Sequence, residues 1–238
     1  MDKRNLAHIK NAFRVAAIFL LFVLINHVQI CIAGQPKALP QASVVSSNAN
    51  LNELEQLIDN AEDIYEKAKV NRWKHLDKKI NSIVKTEQIL PGMTSEKDMP
   101  YYKNLIGVVS DLERAIVSQD RLIAMKSANK VMMLGARLAE AHNSPIPINV
   151  AVIGYYGRKL EVQSETEGVT DLSDTVTKLH LSWQQLIPLV TAYGGIKEVK
   201  RFAEIMKRLE SAKKPDEYGK LASSVVDEVY TIEKIFKK

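Results

Sequence analysis

The chain has 238 residues, 46% hydrophobic and 26% charged, a balance that fits a globular domain and argues against wholesale disorder. Only 10 Gly and 8 Pro stand among abundant Leu, Ala, Lys and Glu, which favours helices over a turn-rich all-β domain. Of the net charge of +5, three units lie in residues 1–33, where Lys3, Arg4, Lys10 and Arg14 face one acid, Asp2. The remainder is nearly balanced, without a run of five or six like charges. It offers no basic face for a phosphate backbone, and no nucleic-acid partner is expected.

Residues 1–33 read as a targeting segment. A basic start is followed by the apolar run Val15–Ile25, then by polar Asn26, His27 and Gln29, then by Cys31-Ile32-Ala33. That order matches a secretory signal with a small-x-small cleavage site, which places cleavage before Gly34. A spanning helix needs about 20 mostly apolar residues, and this run meets polar ones after eleven. The alternative is an uncleaved anchor in the inner membrane, with membrane contact only through residues 15–33. After cleavage the chain contains no cysteine, so thiol catalysis and Cys-based zinc sites drop out of the mature part. Residues 34–49 lack periodicity and read as a flexible leader to a domain over 50–238.

Asn50-Leu51-Asn52-Glu53 resembles a capping box at the start of the first long stretch. Its apolar positions run from Leu51 through Leu54, Leu57, Ile58, Ala61 and Ile64 to Ile80 and Ile83 in steps of three and four, ending at Pro91-Gly92. The second stretch runs from about Tyr101 to His142, with Asp98 as N-cap and with Leu105, Val109, Leu112, Ile116, Ile123, Leu134 and Leu138 on one side. Asn143-Ser144-Pro145 closes it. The third covers about Ile146 to Tyr193, with a break predicted at Gly168 and a kink at Pro188. The fourth runs from Ile196 to the C-terminus, interrupted at Pro215, where Lys213 and Lys214 end one helix and Asp216 and Glu217 begin another. Short connectors between long amphipathic helices predict an all-α, up-down-up-down bundle of four long, kinked helices, or six if the breaks at Gly168 and Pro215 are counted. Trp73-x-x-Leu76 and Trp183-x-x-Leu186, 110 residues apart, hint at a duplicated hairpin.

The candidate site residues are few. His75, His142 and His180 have no acid three or four positions away on either side, so a Glu-x-x-His di-metal centre is disfavoured. His180 lies beside the stripe Val176-Leu179-Trp183-Leu186; it is the one histidine placed to ligate a metal or haem, and a hydrogen bond to a neighbour is its plainer role. Met125 and Met132 share a helix face opposite Ile123 and Leu134. That pattern reads as deep burial, or as a Met-lined surface for an apolar ligand, or as thioether metal ligands. Gly154-Tyr155-Tyr156-Gly157-Arg158 is unusual, because each Gly costs a helix about 1 kcal/mol relative to Ala. Either close helix packing or a ligand contacting Tyr155, Tyr156 and Arg158 would compensate. No nucleophile elbow and no paired general acid and base are recognisable, so no catalytic residue is assigned.

These features together predict an exported protein, periplasmic or extracellular, that is non-enzymatic and serves as a binding or accessory module of the cell envelope. No cofactor is assigned, and the partner is an unidentified protein or small ligand. Two alternatives stand beside this. One is a metal or haem carrier that uses the bundle interior, with His180, Met125 and Met132 as ligands. The other is a membrane-tethered partner-binding protein.

Overall fold

Apolar residues that recur every three to four positions settle only when each stripe faces another, and in this chain every described element is a helix or a connector. The computed structural model describes residues 41–237, with side chains from 48 onward. The predicted signal segment, residues 1–33, lies outside them. Among the described residues there are eight α-helices: α1 (Gln41–Lys69), α2 (Leu76–Ile89), α3 (Met99–Ser118), α4 (Arg121–Glu140), α5 (Ile148–Thr166), α6 (Val169–Ala192), α7 (Ile196–Ser211) and α8 (Pro215–Phe236). A short 3-10 turn, Leu90–Gly92, follows α2. No helix among them is long and apolar enough to cross a membrane.

The all-helical expectation holds, and the four expected stretches each divide in two. The breaks at Gly168 and Pro215 fall where they were read: Gly168 is the N-cap of α6, and Pro215 opens α8, where the Glu217 carboxylate accepts from the Lys213 N–H at 2.7 Å. Two further breaks carried no Gly or Pro. Between α1 and α2, Asn71 and His75 adopt left-handed φ of 54° and 67°, a region that Asn tolerates better than most residues. Between α3 and α4, Gln119 turns left-handed and the Asp120 side chain caps α4 by accepting from the Ile123 N–H at 3.0 Å. Pro188 lies inside α6, which continues through it. At the other end, α1 begins at Gln41, directly after Pro40, so residues 41–49 are helical and Asn50 lies within the helix. No Gly or Pro follows until the helix ends.

Two apolar cores form. The first gathers α1 to α4, with Leu54, Leu57, Ile64, Leu105, Leu112 and Met125 fully buried. The second gathers α5 to α8, where Trp183 stacks on Phe202 with ring centroids 4.2 Å apart. Trp73 sits in the α1–α2 connector, half-buried against the first core, whereas Trp183 is buried inside α6. The two tryptophans therefore do not occupy equivalent places, and the duplication hint loses its anchor. Ile123, read as a core position, is exposed, while Met125 behind it is buried.

Helix α4 is central, packing on α1, α3 and α5, which explains its apolar residues on two faces. Two helical glycines sit where helices approach closely through apolar contacts. A Cβ on Gly135 would come within 2.9 Å of Leu57 and Ile58 on α1, and one on Gly157 within 2.8 Å of Val225 on α8. Val225 is β-branched and held in a packed core, so it has little room to yield. A Cβ on Gly107, on the exposed side of α3, would meet nothing within 4 Å. Urea unfolding should therefore move in opposite directions for two chemically identical changes. Gly157→Ala is expected to lose about 1–2 kcal/mol through overpacking, and Gly107→Ala to gain up to about 1 kcal/mol from helix propensity.

Candidate functional site

The seam between the two cores is polar, and α5 supplies its centre. Arg158 is only 7% exposed, yet it carries a full charge. Its Nη2 donates to Glu62 Oε1 of α1 at 2.6 Å and to the Tyr230 hydroxyl of α8 at 3.0 Å, and Tyr230 in turn donates to Glu62. The guanidinium carbon lies 5.8 Å from the ring centroids of both Tyr65 and Tyr230, so two aromatic faces flank the cation. One turn on, buried Glu161 accepts from the Tyr65 hydroxyl at 2.7 Å and pairs with Lys69 at 2.5 Å. Burial, and then Glu161, push the Tyr65 hydroxyl far above its ordinary pKa; burial and Glu62 do the same for Tyr230. Burial works against the Arg158 charge, but Tyr230 and Glu62 outweigh it and hold the group protonated.

Beside this seam a cleft of about 390 Å³ opens, a size typical of small-molecule sites. Helix α1 contributes Glu55, Ile58, Asp59 and Glu62 from one face, spaced three or four apart. Helix α4 contributes Asn129, Met132, Met133, Ala136 and Ala139, and α5 contributes Ile148, Ala151, Gly154, Tyr155 and Arg158. The α4–α5 connector, Ser144 to Pro147, closes one end; it turns back through left-handed Asn143 at φ 58°. Val229 and Glu233 of α8, with Lys237, complete the lining.

Two buried polar atoms in this lining have no hydrogen-bond partner among the described residues: Asn129 Oδ1 and Arg158 Nε. Asn129 is 4% exposed, and its amide nitrogen is already used, donating to the Tyr155 carbonyl at 3.0 Å. An unpaired buried acceptor costs about 1–3 kcal/mol. The cleft is thus apolar on the α4 side, acidic on the α1 and α8 sides, and incompletely satisfied in its wall.

The residues singled out from sequence divide sharply. Tyr155, Arg158 and Met132 line this cleft. Tyr156, edge-on to Tyr155 at 5.4 Å, packs instead against the second core. Met125 is fully buried, its sulfur 3.7 Å from an Arg121 nitrogen. His180 lies in a separate shallow hollow on α6, where Nδ1 meets Glu210 and Nε2 meets the Gln184 amide at 2.7 Å. His180, Met125 and Met132 are therefore not gathered around one point. Among the described residues no group of three or more His, Cys, Asp or Glu could hold a metal ion. The two glycines of the Gly154–Arg158 segment take one role each: Gly157 permits the α8 contact, and at Gly154 a Cβ would come 3.2 Å from the Arg158 guanidinium, at the cleft.

Sequence reasoning missed Glu62, Tyr65, Glu161 and Tyr230, whose partners are far apart in the chain. It also passed over two signals that were present: the acidic row Glu55, Asp59 and Glu62, and Asn129, a polar residue in the middle of a helix that is apolar on two faces. In comparison with known proteins, no family model, no curated protein and no solved structure matches the chain.

The acids of the cleft predict a pH effect. Partial burial, then Glu62, raise the Asp59 pKa; burial, then Glu62 and Asp59, raise that of Glu233, with Lys237 opposing in both cases. A carboxyl whose folded pKa is raised binds its proton more tightly when folded. Its stabilising share is complete below the unfolded pKa and is lost as pH rises through the folded one. The Asp59→Asn, Glu233→Gln protein should therefore melt at a higher temperature than the parent at pH 7. That advantage should shrink as pH is lowered through the carboxylate range; thermal scans from about pH 3.5 to 7 check it.

Proposed function

We propose that the protein is an exported, non-enzymatic helical bundle, its neighbouring helices in up-down order, that acts as a binding module of the cell envelope through the cleft between α1, α4, α5 and α8. The observation that carries this reading is the cleft itself. It combines a confined apolar wall, a few convergent polar groups and two buried polar atoms left without partners among the described residues. Short connectors support the up-down order, since Gln119 and Asp120 alone link α3 to α4.

Export rests on the order of basic, apolar and small residues in 1–33. Intact mass from the native host tests it: cleavage predicts a mass beginning at Gly34, and a retained 15–33 segment indicates a membrane-tethered partner-binding protein instead. The carrier alternative gains nothing from the positions of His180, Met125 and Met132. Elemental analysis with an absorption spectrum separates it from a plain binding module.

The cleft reading has its own test in Nile red, an uncharged dye that fluoresces in apolar sites. The parent protein should bind it saturably, and Ala136→Trp, which fills the cleft from α4, should abolish the signal without loss of helicity. Equal fluorescence in the two proteins would place dye binding elsewhere and contradict this reading, as would substrate turnover abolished by a point change in the cleft.

A further inference from the structure

The charges that line the cleft do not balance. Glu55, Asp59, Glu62 and Glu233 bring four carboxylates, against two cations, Arg158 and Lys237. Arg158 Nη2 is already committed to Glu62 and Tyr230, and its Nε is the one buried donor in the wall left unpaired among the described residues. Glu55, Asp59 and Glu233 take part in no ion pair among the described residues, whereas Asp63, one position past Glu62 on α1, is paired with both Lys67 and Lys79. So Asp59 and Glu233 make no direct ion pair among the described residues, and the cations near them, Lys237 for both, Lys79 for Asp59 and Arg158 for Glu233, act only at longer range, while α1 neutralises its neighbouring acid. The unpaired buried atom on the α4 wall, Asn129 Oδ1, is also an acceptor and calls for an N–H or O–H donor.

Resting on the reading of the cleft as a binding site, we propose that its occupant is a small amphipathic amine, whose ammonium group faces Asp59 and Glu233 and whose hydrocarbon body lies against Met132, Ala136 and Ile146. An ammonium has three donors and no acceptor, which suits a wall of carboxylates and a free amide oxygen. The raised pKa values of Asp59 and Glu233 agree with this: partial burial, then Glu62, disfavours their charged forms, and an added positive charge beside them would offset both. A carboxylate ligand would add a further negative charge to the same side and be repelled. Methionine side chains suit an apolar body of varied shape, because they are unbranched and polarisable.

Three ligands of equal chain length separate charge from hydrophobicity: hexylamine, 1-hexanol and hexanoate, titrated by calorimetry at about pH 7, where the amine is protonated and the acid ionised. Hexylamine should bind about tenfold tighter than hexanol, and hexanoate more weakly than either. In the Asp59→Asn, Glu233→Gln protein, hexylamine should fall to the hexanol level while hexanol is unchanged. In Ala136→Trp both should be lost, with helicity and melting temperature recorded for each variant to show that it is folded. If all three ligands bind alike and Ala136→Trp removes them, the cleft is a site but not for cations, and the amine proposal fails alone. If hexylamine binding survives Ala136→Trp, its site is elsewhere and the proposal is overturned. If the parent binds neither hexylamine nor Nile red, the cleft reading itself falls.

Discussion

The cost of putting charged groups where two apolar cores meet governs how these helices are arranged. Arg158 and Glu161 sit on one side of α5, nearly out of reach of water, and each is tolerated only because α1 and α8 bring it partners. A buried ion pair is weak as a source of stability, since desolvation offsets most of its attraction, but it is demanding in geometry. Glu62, Tyr65 and Tyr230 must each arrive at hydrogen-bond distance, which fixes α1 and α8 against α5 to within a narrow range.

That constraint also makes the cleft. Glu62 and Arg158 belong both to the polar seam and to the cleft lining, so the groups that hold the helices are those a ligand would meet. Helix α4 supplies the opposite wall. Its residues are buried on nearly every side, and Gly135 brings it close to α1, so this wall is stiff. Packing gives no reason for Asn129 to leave its oxygen unpaired in that wall.

The helical class was legible because apolar spacing is a local signal, repeated over many turns. The breaks at Gly168 and Pro215 were legible because Gly and Pro act on their own backbone. The breaks at Asn71–His75 and Gln119 were not, since left-handed residues other than Gly leave little trace in sequence; only Asp120, an ordinary cap, could have marked the second. Of the site, the Gly154–Arg158 segment stood out because helical glycine is costly. Its meaning did not, because the Arg158–Glu62 and Tyr65–Glu161 contacts each span 96 residues. His180 attracted notice by residue type and by its place beside the Trp183 stripe, and in the structure it meets Glu210 and Gln184.

The most direct measurement is the unfolding free energy of two single variants that break the same ion pair from opposite ends. Glu62→Ala strands the Arg158 charge in the seam, whereas Arg158→Met removes the charge and leaves an unbranched apolar side chain, with Glu62 still near water. If the buried guanidinium governs the seam, Glu62→Ala should cost about 2–3 kcal/mol and Arg158→Met clearly less. Equal losses, or a larger loss for Arg158→Met, would mean that the charge is not what fixes α1 and α8 on α5.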